Sequence, residues 1–379
     1  MLTVIWNIIL TLLVFTFIVL VHEGGHFMMA RKVGIYVEEF AIGMGPKLWS
    51  RTTKKGTVVS LRALPLGGFC QMKGETADVE EVGTEESVEA AVPKEPDPDS
   101  FAAKTVGQRA LVVAAGPFMN FVLAFVLLFI FSMASGYTSK TVVRVDEGYP
   151  AAEAGLEVGD EITHLNGEAI HVYSKISFLL MNYQEGDEVT LTVKTQSGES
   201  KTMKFALKYD ETLGRYRMGF SVGTHGSIAE ETAQRGFLPA LWGVILESFW
   251  ELLYEIEVTI RSIGMLIAGQ VGMDALTGPI GMVSVVGDVY EEASAYGLYT
   301  ILATMASLIV LISANLGVLN LFPIPGLDGS RLVMLLIEKI RRKPMNPKIE
   351  NAIYLVGFVL LFGLMIAVAF NDVMRIIQG

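Results

Sequence analysis

The stretch MLTVIWNIILTLLVFTFIVLVHEGGH, residues 1–26, decides the fold of this chain. From Met1 to Val21 it contains no Asp, Glu, Lys or Arg, and roughly 20 apolar residues are enough to cross the hydrocarbon core of a membrane. The run lacks the basic beginning and the small-residue cleavage site of a signal peptide, and it is longer than the apolar part of one. It therefore predicts a transmembrane helix that ends in His22-Glu23-Gly24-Gly25-His26.

Two histidines four residues apart lie on one face of a helix. There they can hold a zinc ion, with the intervening Glu23 acting as a general base. Ionisable residues at the end of a hydrophobic span cost free energy and are usually retained for function. The alternative is that His22 and His26 are hydrogen-bonded residues at a helix end. The motif and its position together favour a zinc protease whose active site lies in the membrane.

The composition agrees with a membrane protein that carries a water-exposed part. The 379 residues are 51% hydrophobic and 18% charged, with a mean hydropathy of +0.47. A net charge of -11 argues against nucleic acid as a partner, because phosphate binding needs a basic surface. The single cysteine, Cys70, cannot form an intrachain disulfide, and we expect a buried or interfacial side chain rather than a reactive thiol.

Three further apolar stretches are long enough to cross a membrane: Ala110 to Gly136, Gly297 to Gly326 and Ala352 to Phe370. Lys and Arg cluster after the first span, before the second, and between the third and the fourth. Because Lys and Arg near span ends mark the cytoplasmic side, the pattern predicts four spans. Both termini are then outside, and both basic loops are in the cytoplasm.

A long apolar segment from Gly236 to Gly269 complicates this count. Glu247, Glu251 and Glu255 repeat every four residues in it and make one polar helical face. Such a face is typical of a helix that lies on the membrane surface, and we predict that location on the outer side. The alternative is a fifth span.

A catalytic zinc needs a third protein ligand, and Asp328 in NLFPIPGLDG, residues 320–329, is the candidate. Two prolines at that spacing cannot continue a helix, and irregular backbone at membrane depth is tolerated only when it is buried in protein or lines a wet cavity. The alternative is a Pro-rich turn followed by a helix cap. With four spans Asp328 reaches the same side of the membrane as the histidines, whereas a fifth span would place it on the opposite side.

These motifs resemble the site-2 protease family of intramembrane zinc metalloproteases, and within it the bacterial regulator of sigma-E proteases. The resemblance rests on HEGGH, on NLFPIPGLDG, and on a segment similar to a PDZ domain, VDEGYPAAEAGLEVGDEITHLNG at residues 145–167. AAGPFMN at residues 114–120 and LTGPIG at residues 276–281 are also similar to that group. The similarity extends over nearly the whole chain.

The resemblance implies His22, His26 and Asp328 as ligands of one zinc ion per chain and Glu23 as the general base. It also implies that three residues shape the substrate channel: Asn320, Pro323 and Pro325. Asn320 is expected to hydrogen-bond the unwound backbone of the substrate.

Alternating residues 39–46 and 57–69 predict strands between the first two spans, similar to the membrane-dipping β structure of this family. An exposed strand edge there can pair with an extended substrate, and Gly43 and Gly45 allow a close backbone approach. The alternative is a plain cytoplasmic hairpin.

The PDZ-like segment predicts a groove for an extended peptide end, so that peptide C-termini are candidate partners. The alternative is a spacer that binds nothing. Asn166-Gly167 predicts a hairpin turn, and His164 and His171 are expected at the surface of this domain rather than as ligands. The proteobacterial relatives carry two such domains in tandem, and this sequence indicates one.

The predicted fold class is an α-helical multi-pass membrane protein of four transmembrane helices, with a membrane-associated β-hairpin region and an extracytoplasmic α+β PDZ-like domain. The predicted segments are the first transmembrane helix (1–30), a cytoplasmic or membrane-dipping β region (31–74), an acidic disordered insertion (75–100), the second transmembrane helix (101–137), the PDZ-like domain (138–225), an extracytoplasmic surface-helix region (226–296), the third transmembrane helix (297–330), a basic cytoplasmic loop (331–350), and the fourth transmembrane helix with the tail (351–379).

The sequence therefore predicts a zinc endopeptidase in the bacterial inner or plasma membrane, in contact with lipid, with its active site near the cytoplasmic side. It would cut single-span membrane proteins in or near their membrane segments, and the resemblance implies anti-sigma factors or remnant signal peptides as substrates. One alternative is a PDZ-containing membrane scaffold or chaperone with a non-catalytic metal site. A transporter is disfavoured by four spans and by the lack of an evident inverted repeat.

Overall fold

The computed structural model describes residues 2–75, 97–181, 183–184, 186–211, 215–272, 277–343 and 345–378. They form two compact units, one made of Met1–Ala124 with Thr259–Gly379 and the other of Phe125–Val258. The acidic insertion predicted at 75–100 and the leucine of LTGPIG lie outside the described residues, except for the two ends of the insertion.

Helices dominate the first unit. The helices along the whole chain are α1 (Leu2–Lys32), α2 (Val106–Ser135), α3 (Pro150–Glu153), α4 (Ser174–Leu180), α5 (Ile228–Arg235), α6 (Phe237–Ile267), α7 (Pro279–Ser294), α8 (Leu298–Leu321), α9 (Asp328–Arg341) and α10 (Pro347–Gln378). The strands are β1 (Val37–Thr52), β2 (Val58–Met72), β3 (Tyr137–Val145), β4 (Glu161–Leu165), β5 (Glu168–Ala169), β6 (Glu188–Lys194), β7 (Ser200–Ala206), β8 (Lys208–Asp210), β9 (Arg215–Arg217) and β10 (Phe220–His225).

Within the described residues, five helices are long and apolar enough to cross a membrane: α1, α2, α6, α8 and α10. The chain is thus a multi-pass membrane protein, with one candidate span more than the four predicted. The additional candidate is α6, the least apolar of the five. It qualifies because apolar residues outnumber its glutamates over the 31 positions of the helix. Length and composition alone therefore do not distinguish a surface helix from a membrane span.

β1 and β2 form an antiparallel pair that follows α1 and whose register shifts repeatedly. Phe40 of β1 has two partners in β2, Cys70 and Val59, so β2 passes β1 twice. Gly43 and Gly45 lie where the register shifts, with φ of +84° and +83°. Only glycine adopts such backbone angles at no steric cost, and the two residues therefore shape the bend of the hairpin.

Buried Glu39 anchors the hairpin through a cluster of charges. Its carboxylate accepts hydrogen bonds from Ser60 at 2.5 Å and Arg62 at 2.7 Å, and it pairs with Lys47 at 2.8 Å. Burial acts to raise the pKa of Glu39, but the hydrogen bonds from Lys47, Ser60 and Arg62 outweigh it and lower the pKa to about 2. The carboxylate is therefore charged at neutral pH.

The outer part of the hairpin exposes large apolar side chains. Leu48 is 68% exposed, Trp49 54% and Leu64 50%. The hairpin also contacts the middle of α1, where the Thr16 hydroxyl donates to the Pro65 carbonyl at 2.8 Å. Exposed apolar patches of this kind mark a membrane or protein contact.

The second unit contains a sheet in the order β10-β3-β4-β6-β7, with β5 paired to β4 and a separate β8-β9 pair. Along β6 every second residue is buried, which places Val189, Leu191 and Val193 in the core. Asn166 and Gly167 have φ of 52° and 81° and join β4 to β5 in the predicted tight turn.

The part of α6 in this unit packs against the loop before α4 and the beginning of α4. Trp250 stacks on His171 with ring centroids 3.7 Å apart. Ser174 donates to Glu251 at 2.7 Å, and the Lys175 ammonium lies 2.9 Å from the Glu257 carboxylate. This side of α6 thus contacts residues 171–175 of the same unit.

Candidate metal centre and peptide groove

The end of α1 presents two buried imidazoles side by side. His22 and His26 are each 7% exposed, and their Nε2 atoms are 3.2 Å apart. This arrangement follows from the spacing of four residues on one helix, which stacks the side chains one turn apart.

Asp328, the first residue of α9, completes the cluster. Its Oδ2 lies 3.1 Å from His22 Nε2 and 3.3 Å from His26 Nε2. The turn after α8 requires glycine: Gly326 has φ +97°, and a Cβ on Gly329 would lie 2.1 Å from the Phe322 carbonyl oxygen. These two glycines let α9 begin directly beside the end of α8 and bring its first carboxylate to the histidines.

The donor set fits a zinc ion. Two imidazole nitrogens and one carboxylate oxygen, all within 4.8 Å of one another, are the three protein ligands that a catalytic zinc site uses. Asp328 Oδ2 is buried and accepts no hydrogen bond from the part of the chain that the structure describes. A buried carboxylate oxygen without a donor is costly, and a cation would satisfy it.

Close helix packing at two glycines holds α1 against α2. A Cβ on Gly25 would lie 2.2 Å from the Ala115 carbonyl oxygen, and a Cβ on Gly116 would lie 2.2 Å from His26 Nε2. Sequence reasoning quoted both glycines within motifs but assigned them no role. One sequence contains no signal that pairs residues 25 and 115.

A cavity of about 550 Å³ opens beside the three clustered side chains. Its lining includes Val19, His22, Glu23, His26, Phe69, Cys70, Gln71, Met72, Glu75, Val113, Leu316, Asn320, Gly326, Leu327, Asp328 and Arg331. The predicted residues Glu23 and Asn320 thus share one cavity with the ligand cluster, and a Cβ on Gly68 would lie 3.9 Å from Glu23 Cγ.

Four predicted substrate residues lie outside this lining. Pro323 and Pro325 belong to the turn between α8 and α9, and the Pro325 carbonyl packs against Gly357 of α10. Gly43 faces Leu64 within the hairpin, where a Cβ would lie 2.5 Å from the Leu64 carbonyl oxygen, and Gly45 also lies beside Leu64. Both glycines thus approach their own hairpin closely, and their contact with substrate stays a prediction.

The strand residues that do line the cavity, Phe69 to Met72, were not predicted as site residues. Phe69 and Cys70 pair with Ala41 and Phe40 of β1. On their other edge they have no strand partner among the described residues. Cys70 is buried as predicted, and burial raises the pKa of its thiol.

Arg331 was also missed. It lines the cavity one turn after Asp328, forms an ion pair with Glu75 just beyond β2, and donates to the Tyr354 hydroxyl at 3.1 Å. Burial acts to lower the pKa of Arg331, but the neighbouring Glu75 and Tyr354 raise it, so the guanidinium stays charged.

The second unit contains a groove of about 710 Å³ between α4 and β10. Ser177 and Met181 lie on one side and Gly219 to Val222 on the other, with several tyrosines at the ends. Since β10 is the last strand of its sheet, its outer edge faces this groove. Both predicted surface histidines, His164 and His171, lie outside the lining.

The sequence signature of peptidase family M50 matches residues 10–364. The chain belongs to peptidase family M50. Zinc metalloprotease RasP of Bacillus licheniformis is 31% identical over 98% of this chain and 99% of its own length. Regulator of sigma-W protease RasP of Bacillus subtilis is 29% identical over 98% of this chain and 99% of its own length.

The chain is also similar in part to a solved PDZ domain of an SdrC-like protein from Listeria monocytogenes, at 24% identity and a TM-score of 0.21. That likeness covers 23% of this chain and 88% of the Listeria chain.

Family membership confirms several predictions made from the motifs. The M50 chain is an intramembrane zinc metalloprotease of the site-2 protease type, and its cofactor is zinc. The resemblance drawn from HEGGH and NLFPIPGLDG was therefore correct.

Proposed function

We propose that this M50 protease hydrolyses peptide bonds in or near the transmembrane segments of single-span membrane proteins, at a zinc ion held by His22, His26 and Asp328. One observation supports this above all: the three ligand atoms converge within 4.8 Å in a cavity that Glu23 also lines.

In the proposed mechanism the chain's own residues move one proton and hold the substrate. Bound zinc would act as a Lewis acid towards the scissile carbonyl and lower the pKa of the attacking water towards about 7. Glu23 accepts a proton from that water and later delivers it to the leaving amine. Asn320, in the same cavity, offers an amide that can hydrogen-bond the extended backbone on either side of the cut.

One edge of residues 68–72 has no strand partner among the described residues, and this supports strand addition as the mode of substrate binding. A transmembrane helix must unwind before a protease can reach its peptide bonds, and its freed N–H and C=O groups then need partners. The strand edge supplies them along the cavity. Gly43 and Gly45 would act only indirectly, through the bend of the hairpin, and Pro323 and Pro325 through the turn that carries Asp328.

Four spans with α6 on the outer surface remain our proposal for the topology. The contacts of Trp250, Glu251 and Glu257 with residues 171–175 support it, because side chains that pair with a PDZ-like domain are not in hydrocarbon. The PDZ-like domain would then be outside, and the metal centre near the cytoplasmic side.

The substrate class follows from the relatives and the groove together. A relative is named a regulator of sigma-W protease, and we propose membrane-anchored regulators such as anti-sigma factors, or remnant signal peptides, for this chain. The groove between α4 and β10 would receive the free carboxyl end of a substrate that has already been shortened outside.

The test compares wild type with Glu23→Gln on a tagged single-span reporter in membranes, with zinc quantified in both purified proteins. We expect wild type to cut and the variant to lose about 10²–10⁴-fold in rate, because a general base is removed. Both should keep one zinc per chain, since Glu23 is not a ligand.

Absence of zinc from both proteins would contradict the proposed centre. Zinc with no cleavage of several truncated reporters would favour a scaffold with a non-catalytic metal site.

A further inference from the structure

One face of α2 contacts both imidazoles. Val112, Gly116 and Asn120 are spaced by four residues and therefore lie in one row along the helix. Gly116, in the middle, has no side chain, and a Cβ there would lie 2.2 Å from His26 Nε2 and 2.8 Å from His22 Nε2. The row therefore leaves space for both imidazole rings at Gly116 and offers a polar contact at each end.

At one end of the row, the Val112 carbonyl oxygen accepts a hydrogen bond from His26 Nδ1 at 2.9 Å. A ring that donates through Nδ1 carries its proton there, which leaves a lone pair on Nε2. That Nε2 is the atom 3.3 Å from Asp328. His26 is therefore already held in the tautomer that a metal ligand needs.

At the other end, Asn120 Nδ2 lies 3.1 Å from His22 Nδ1. Asn120 is fully buried, and its Oδ1 has no hydrogen-bond partner in the described part of the chain. Its backbone is part of α2, and its carbonyl also accepts a hydrogen bond from the Ser313 hydroxyl of α8 at 2.9 Å. The side-chain amide can turn about its last bond while the helix backbone behind it stays in place.

The tautomer of His22 decides which of its two ring nitrogens carries the proton. A zinc ligand needs the lone pair on Nε2 and the proton on Nδ1. A half-turn of the amide replaces the Nδ2 donor by the partnerless Oδ1 acceptor. An amide supplies both groups at one position.

We propose that Asn120 is a positioning residue for the metal centre: its amide turns so that Oδ1 accepts the Nδ1 proton of His22, which directs the Nε2 lone pair towards the zinc. This inference rests on the proposed zinc ligands and adds a residue to them. Val112 does the same for His26 through its backbone, and no side-chain substitution removes that contact.

The experiment measures the zinc affinity of the full-length chain in detergent, by competition with a chelator of known affinity. Asn120→Leu removes both polar groups and should weaken zinc binding about 10–100-fold, the range for partners that orient metal ligands. Asn120→Asp keeps an acceptor and should stay within about threefold of wild type, because carboxylates orient metal-binding histidines in many sites.

Ser313→Ala is the matched control. It removes a buried hydrogen bond from the same residue but leaves the amide in contact with His22, and it should bind zinc like wild type. Nitrogen NMR of labelled histidine in the zinc-loaded protein gives a second readout: His22 should be protonated on Nδ1 in wild type and in Asn120→Asp.

Wild-type zinc affinity in Asn120→Leu would overturn the inference, as would an equal loss in Asn120→Leu and Ser313→Ala. If Asn120→Leu does not fold, two other results would each overturn the inference. One is an about 10–100-fold loss of zinc affinity in Asn120→Asp, and the other is a His22 ring without a proton on Nδ1 in the zinc-loaded wild type. Failure of the ligand assignment looks different: zinc affinity would then not change in Asp328→Ala.

Discussion

The metal centre and the peptide groove are built in opposite ways. The groove is formed by α4 and β10, which are less than 50 residues apart in one compact unit. The metal centre brings together α1, α2 and α9, and its first and last ligands in the sequence are His22 and Asp328. The proposed recognition site thus depends on one local β-rich fold, whereas the proposed chemistry depends on close packing between helices that are distant in sequence.

The largest expected effect is at the third ligand. Asp328→Ala should reduce bound zinc from about one per chain to near zero and abolish cleavage, because two histidines alone do not make a catalytic zinc site. Peptide binding to the groove should not change. Zinc content and reporter cleavage measure the first effect, and fluorescence anisotropy with a labelled peptide measures the second.

Exposed Asp288 in α7 is the control for this change, and Asp288→Ala should keep both zinc and activity. Full zinc content in Asp328→Ala would show that α9 supplies no zinc ligand, and it would contradict the contrast between the two sites.

The next prediction tests whether the packing of α1 against α2 determines the geometry of the metal centre. Gly25→Ala should destabilise the protein by about 1–3 kcal/mol and weaken zinc binding, because the new Cβ would meet the Ala115 carbonyl at 2.2 Å. Gly24, next to it, has open space around its Cβ position. Gly24→Ala should be neutral or stabilise by up to about 1 kcal/mol, since alanine favours the helix.

Denaturant unfolding in micelles and zinc content measure both glycine variants. Equal effects at the two positions would mean that the helix contact does not determine the geometry of the ligands.

A moderate effect is expected at the groove. Met181, 63% exposed, lines it, and Met181→Glu should weaken binding of a peptide with a free, apolar C-terminus about tenfold, which corresponds to about 1.4 kcal/mol. The new charge would lie beside the peptide carboxylate. Zinc content should remain that of wild type.

Val158, 53% exposed and outside the groove lining, provides the matched variant, Val158→Glu. Loss of peptide binding in both variants, or in neither, would argue that the groove is a spacer.

The smallest effect concerns the hairpin beside the cavity. Glu39 has a pKa lowered to about 2, so its contribution to hairpin stability is complete above its ordinary pKa of 4.5 and is lost as the pH falls towards 2. Trp49 on the hairpin should therefore report no change between pH 5 and 8, and loosening on the acid side.

Glu39→Gln should remove this acid transition. Glu38→Gln, at a half-buried neighbour whose carboxylate accepts a hydrogen bond from Gln71 at 2.9 Å, should retain it. A transition near pH 6 in wild type would show that another group controls the hairpin.

Sequence reasoning reached those parts of the candidate site that a local motif marks. His22, Glu23 and His26 follow from helix periodicity, and Asp328 follows from the need for a third ligand and from the prolines that end α8. The predicted topology and the motif restricted the choice of the third ligand without any knowledge of packing.

The remainder depends on contacts between segments. Gly116 and Asn120 acquire a role only because α2 packs against α1, and Phe69 to Met72 border the cavity only because β2 passes β1 twice. Gly43 and Gly45 were chosen for backbone freedom, and their positive φ lies where the register of the hairpin shifts, which only the folded hairpin shows. The sequence leaves open whether α6 is a surface helix or a membrane span for a different reason. Apolar content alone does not show what its polar face contacts.

The distance along the chain between His22 and Asp328 has a consequence for how such proteins vary in length. In polymer terms the centre closes a very long loop, and the entropic cost of closure grows only with the logarithm of loop length. The alignment with the Bacillus licheniformis relative runs over 444 positions, against 379 residues here. That alignment covers 98% of this chain, so roughly 70 of its positions have no counterpart here, and adding about 70 residues to a loop of roughly 300 changes the closure cost by only about 0.2 kcal/mol. Segments between the ligands can therefore lengthen or shorten freely, provided that the three helices still meet.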